Sequence, residues 1–131
     1  LMNIVANKFL SSLNSWEKGD FNYGRTDCCQ FASHVVKEIT GEDHASKFEY
    51  RSEEEARKII EEHNGLVGLI SSLLGEPNKT EKDGDVCVLF IPSIGELLGV
   101  RYKDDVVCIT EKGLKAIEYK YVIAEWAICH Q

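Results

Sequence analysis

The sequence has no CxxC pair, no cluster of lysines and arginines, no long unbroken apolar run and no proline- or glycine-rich linker. Each absence removes a class of protein. Structural zinc sites space their cysteines and histidines in close pairs, so no metal and no other cofactor is expected. Nucleic-acid surfaces need grouped cations. Here Lys and Arg total 15 against 22 Asp and Glu, and the formal net charge is −7, so no nucleic-acid partner is expected. A membrane span needs about 20 consecutive apolar residues, and no stretch approaches that. The amphipathic N-terminus, LMNIVANKFLSSLNSWEKG, lacks the basic segment and continuous apolar core of a secretory signal. No membrane association is therefore expected. With no linker and no internal repeat, residues 1–131 are expected to form one domain.

Five cysteines are present, at positions 28, 29, 87, 108 and 129. The odd count, with no export signal, points to a reducing cytoplasm. Cys87, Cys108 and Cys129 lie in apolar, strand-like runs and read as small buried hydrophobes.

The first half of the chain has helical periodicity. Val5, Phe9, Leu13 and Trp16 recur at three- and four-residue steps. Cys28, Phe31, Ala32, Val35, Val36 and Ile39 form the apolar face of a second helix. Asp27 is its N-cap and Gln30 the capping-box partner. A third helix starts at Ser52, with Glu55 completing another capping box, and runs to Asn64-Gly65. A short fourth covers Leu66 to Leu74. The second half changes period. Strands are expected at Val86 to Ile91, Leu97 to Tyr102, Asp105 to Thr110, Leu114 to Tyr119 and Tyr121 to Ile128, with turns at Lys103-Asp104 and Glu111-Lys112-Gly113. Helices followed by an antiparallel meander give an α+β fold, with the helices packed on a C-terminal sheet of about five strands.

The segment that carries chemistry is Tyr23-Gly24-Arg25-Thr26-Asp27-Cys28-Cys29-Gln30-Phe31-Ala32. It places Cys28 in the first turn of a helix. Unpaired N–H groups and the positive end of the helix dipole favour a thiolate there. Arg25 would assist and Asp27 would oppose. Phe21 and Tyr23, just before the helix, are candidates to line a pocket beside the thiol, with Asp27. By composition alone, a cysteine on the apolar face of a helix is more often part of a core.

The Asp-Cys-x-x-Phe-Ala helix start resembles the Asp-Cys-Ser-Gly-Phe helix of NlpC-type, papain-like cysteine peptidases. Gly84-Asp85-Val86-Cys87-Val88-Leu89-Phe90 is similar to the Gly-Asp-Leu-Val-Phe-Phe strand of that family. Leu97-Leu98-Gly99-Val100-Arg101-Tyr102 is similar to its His-Val-Gly-Ile-Tyr strand. The three occur in the same order, and the likeness covers about residues 20 to 115. Phe21-x-Tyr23-Gly24, Thr40-Gly41-Glu42-Asp43, Tyr50-Arg51-Ser52 and Ala124-Glu125-Trp126 resemble a phage- and prophage-associated branch.

The resemblance implies a papain-like fold with Cys28 in the nucleophile's place, Leu97 in the histidine's place and Cys108 loosely in the third. Leucine can neither accept a proton nor pair with a thiolate. The resemblance therefore implies a non-catalytic domain, cytoplasmic or virion-associated, whose partners are phage tail proteins or a peptide or cell-wall fragment. An active cysteine hydrolase, a peptidoglycan endopeptidase or amidase, would need its base from elsewhere. His34 lies about 240° round the helix from Cys28 and points away. His63 suits a helix C-terminus, while His44 and His130 lie in a loop and at the chain end. A third possibility is an unrelated adaptor with every cysteine in the core.

Overall fold

The structure, a computed structural model, describes residues 27–110 and 113–128. Three helices come first: α1 (Cys28–Thr40), α2 (Glu53–Glu62) and α3 (Leu66–Leu74). Five strands follow: β1 (Val86–Ile91), β2 (Gly95–Tyr102), β3 (Asp105–Thr110), β4 (Gly113–Glu118) and β5 (Val122–Trp126). All pair antiparallel, so the α+β expectation holds. The helix expected around Val5 to Trp16 lies outside the described residues.

Local chemistry sets the helix ends. Asp27 is extended and its Oδ1 accepts from the Gln30 N–H at 2.9 Å. A cap of this kind is worth about 1 kcal/mol. Gly41 closes α1 at φ 86°, a left-handed position that suits glycine, and returns its N–H to the Lys37 carbonyl. Ser52 caps α2 by accepting from the Glu55 N–H, and three glutamates at Glu53, Glu54 and Glu55 face the positive end of that helix. Glu55 reaches back to the Arg51 N–H, one residue before the expected partner.

The sheet order is β4-β3-β2-β1-β5. The first four strands form the expected meander. The last departs from it, because β5 returns across the sheet to pair with β1 and seals the far edge of that strand. The expected last strand, Tyr121 to Ile128, is correspondingly shorter: Tyr119–Tyr121 makes a 3-10 turn that lifts the chain over to its new neighbour.

Alternation along the strands gives two cores. On the helix face, Val86, Val88, Leu98, Val100, Ile109 and Trp126 meet Phe31, Val35 and Val36 of α1 and Leu66, Leu69 and Ile70 of α3. On the other face, Cys87, Leu89, Val106 and Cys108 pack under Leu97, Ile117, Tyr119 and Tyr121. Cys87 and Cys108 are fully buried, as their apolar surroundings in the sequence suggested. Among the described residues no helix is long and apolar enough to cross a membrane.

Candidate functional site

Strand register decides what stands opposite the start of α1. Arg101 donates its N–H to the Asp85 carbonyl at 2.8 Å, and β2 pairs with β1 in register from there to Gly95. Antiparallel pairs alternate between bonded and non-bonded. Leu98, opposite Val88, falls in the non-bonded class and turns its N–H away from β1, toward β3. The β2–β3 ladder runs only from Tyr102–Asp105 to Val100–Val107, so no β3 residue pairs with Leu98. The Leu98 N–H acts on the Cys28 sulfur and favours its thiolate.

Cys28 is half-buried, and several groups act on its sulfur. The Cys29 thiol beside it is the strongest, and it favours the Cys28 thiolate. Burial opposes ionisation, the Leu98 N–H supports it, the Asp27 carboxylate opposes it and the Cys28 N–H supports it. The net result places the thiol below its ordinary value. Cys29 moves the opposite way. The neighbouring Cys28 sulfur, and next the partial burial of Cys29, hold its proton well above the usual range. Among the described residues, no imidazole is one of the groups acting on Cys28.

Asp27 borders the same region but is buried, at 4% exposure. Its Oδ1 accepts from the Gln30 N–H and from the Tyr50 hydroxyl, each at 2.9 Å. These bonds tie the loop after α1 to the cap of α1. Asp27, expected to contact substrate, lines the groove and also has a structural duty, because a carboxylate sealed from water has to be hydrogen-bonded. Burial, with Cys29 and Asp27 nearby, holds the Tyr50 phenol above its usual range.

Cys28 and Cys29 line a groove of about 930 Å³, bounded also by Leu69, Leu98, Ile109 and His44. The volume falls in the range of small-molecule pockets, about 300–1,000 Å³. His44 sits on the loop after α1, where Ala45 donates to Ser33 Oγ at 2.9 Å. Its Nε2 is 3.3 Å from Glu42 Oε2, and its Nδ1 is buried with no partner.

The other site residues expected from the sequence separate. Leu97 touches the groove but its side chain packs among Cys87, Leu89, Val106 and Cys108 on the far face of the sheet. The residue that reaches Cys28 is its neighbour Leu98, through the backbone. Cys108 is fully buried against Gly99, and burial drives its thiol far up. It is a core residue and cannot orient a base as a third catalytic residue would. Phe21 and Tyr23 lie outside the described residues, as do Trp16, Cys129 and His130. His34 pairs with Glu38 at 3.9 Å, and His63 Nδ1 lies 2.8 Å from the Ile59 carbonyl, ending α2. Among the described residues no group of three His, Cys, Asp or Glu side chains is arranged to hold a metal.

The sequence matches the profile of a family described as a domain of unknown function, DUF6950, over residues 4–128. No curated protein matches the chain.

Proposed function

The chain belongs to the DUF6950 family, and on that premise we propose that it is an NlpC-type, papain-like domain of phage or prophage association that binds a peptide without cleaving it. The peptide belongs to a cell-wall fragment or to a tail protein. One observation carries the reading: Cys28 opens a helix at the edge of a large groove, and among the described residues no imidazole is one of the groups acting on its sulfur. Amide cleavage has to protonate a leaving amine. A thiolate and backbone donors without a base can position an acyl group but cannot complete that step. The half-buried state of Cys28 weighs against the adaptor reading, in which every cysteine is sealed in the core.

A second reading, an active peptidoglycan endopeptidase or amidase, gains from His44, which borders the same groove with an unpartnered ring nitrogen. One experiment separates the two. The full chain is incubated with soluble peptidoglycan fragments and peptide amides, while released amine and protection of Cys28 from iodoacetamide are followed together. Protection without release supports the binding domain. Release that disappears in Cys28→Ser and in His44→Gln supports the hydrolase. Neither protection nor release contradicts both.

A further inference from the structure

We propose that the free outer edge of β2, at Glu96 and Leu98, takes an extended, all-L protein segment as an added strand, lying in the opening between β2 and β3. The proposal rests on the reading above in one respect, that the ligand is a peptide. It goes beyond that reading in naming the surface that holds the peptide, and in choosing a protein segment over a cell-wall stem.

The opening is a product of register. The β2–β3 ladder joins Tyr102 to Asp105 and Val100 to Val107. The next pair in that series would be Leu98 with Ile109, and it is not made. β3 stays paired with β4 as far as Thr110, and β2 stays paired with β1 as far as Gly95. The two strands therefore part while each keeps its other neighbour. They close at Gly99, where a Cβ would stand 2.5 Å from Cys108 Sγ. Beyond that point the groove reaches both faces of the sheet, bordered by Ile109 on the helix face and Leu97 on the far face.

Main-chain groups point into this opening. Leu98 and Glu96 form non-bonded pairs with Val88 and Phe90, so the Leu98 C=O and the Glu96 N–H and C=O turn away from β1. Ile109 turns its own N–H and C=O toward β2, as Val107 does two residues earlier. Among the described residues no strand meets these groups. Leu98 and Ile109 are 3% and 2% exposed, and a backbone group sealed from water without a partner is costly. The outer end is accessible: Glu96 is exposed, and Gly95 and Leu97 are half-buried. An incoming strand brings N–H and C=O groups at the spacing such an edge lacks.

Side chains on the two faces select the segment. Glu96 Oε1 accepts from the Leu66 N–H at 3.2 Å, which sets its carboxylate on the helix face. Lys115 is exposed and pairs with Cys108, so it stands on the far face. Both border the groove. Successive side chains of an L-strand point to opposite faces, so these charges complement a basic residue followed or preceded by an acidic one. A cell-wall stem peptide alternates L and D residues, which sends its side chains to one face only, and it cannot meet both charges. Ile94, 64% exposed at the mouth of the groove, adds an apolar contact.

The test selects a displayed library of random L-peptides against the full chain, then measures the synthesised winners by fluorescence anisotropy and amide hydrogen exchange. The winners should carry adjacent basic and acidic residues and should slow exchange of the Glu96 N–H. Methylating alternate backbone nitrogens of a winner, those that face β2, should weaken binding roughly tenfold. Methylating the intervening nitrogens should leave it unchanged. Glu96→Pro removes the outward N–H without touching the ladder to β1, and should weaken binding to a similar degree. Glu96→Ala keeps that N–H and should lose only the preference for a basic residue. An empty selection, or winners indifferent both to the methylation pattern and to Glu96→Pro, would overturn the proposal. If soluble peptidoglycan fragments then protect Cys28 from iodoacetamide, the base-free binding domain stands without it. If they do not, that reading falls as well.

Discussion

The Tyr50 hydroxyl donates to Asp27 Oδ1 at 2.9 Å, joining two residues 23 apart in the chain at the start of the cysteine helix. Tyr50 and Asp27 are both buried. The carboxylate that caps α1 is thus held by a side chain from the segment leading into α2. Removing the hydroxyl takes away a hydrogen bond to a buried acceptor. Tyr50→Phe should lower stability by about 1.5–3 kcal/mol, the usual worth of a hydrogen bond to a charged group. Urea denaturation followed by circular dichroism measures it, and a loss below a few tenths would show the bond to be dispensable.

Asp27 also acts on the thiol next to it. Its negative charge raises the thiol against the larger lowering influences of Cys29 and the Leu98 N–H. Asparagine caps helices as well as aspartate and keeps the oxygen that Gln30 and Tyr50 use. Asp27→Asn therefore removes the charge with little else, and the Cys28 thiol should ionise at still lower pH. The pH profile of iodoacetamide labelling at Cys28 should move to the acid side of the wild-type profile. An unmoved or alkaline-shifted profile would mean the charge does not reach the sulfur.

Gly99 is required by close approach. A Cβ there would stand 2.5 Å from Cys108 Sγ, 2.7 Å from Val106 Cγ1 and 2.7 Å from the Val107 carbonyl oxygen. Gly99→Ala should cost about 1–3 kcal/mol through overpacking. Adding Cys108→Ala should recover only part of this, because the Val107 oxygen belongs to the backbone. Denaturation midpoints of the single and double variants check both statements. Full recovery in the double variant would place the clash on the sulfur alone.

On the far face of the sheet, Glu125 is buried and accepts from the Tyr119 hydroxyl, with Asp85 as a neighbour. Burial first, and Asp85 in addition, raise its carboxyl above the usual range. A raised folded-state pKa means that the folded protein binds this proton more tightly than the unfolded chain. The associated stability is complete below the unfolded value, about 4.3, and is lost as pH rises through the folded value. Glu125→Gln removes that dependence. Its stability relative to wild type should improve as pH rises from about 4 toward neutrality. A constant difference across that range in thermal melts would contradict the assignment.

Much of the fold could be read in the sequence where an element carried its own punctuation. Val86–Ile91, between Gly84-Asp85 and Pro92, and Leu66–Leu74, between Gly65 and Gly75, were bounded by residues that end regular structure. The Asp27 cap and the position of Cys28 at a helix start were equally local. What escaped depends on pairing across distance. The return of β5 to β1 has no local signal, since an edge and a central strand share the same alternation. The contact between Leu98 and Cys28 is made by a backbone N–H, and its direction follows from register alone. The sequence motif pointed to Leu97, whose side chain lies on the other face, because a one-residue step in a strand reverses the side. Tyr50 stood in a recognisable motif, but nothing adjacent showed that its hydroxyl would reach Asp27. Cys29 was visible as a neighbour, and its importance came only from the shared position of the two thiols at the groove.

The account stands on Cys28 being an activated thiol that opens onto the groove. The measurement that reaches it most directly is the rate of iodoacetamide labelling at Cys28 as a function of pH, resolved from the other cysteines by peptide mass spectrometry. The account predicts that Cys28 reacts fastest of the described cysteines, with a single ionisation clearly below the value of a free thiol, about 8.5. A Cys28 that resists labelling in the folded protein, or that ionises at or above that value, would contradict it.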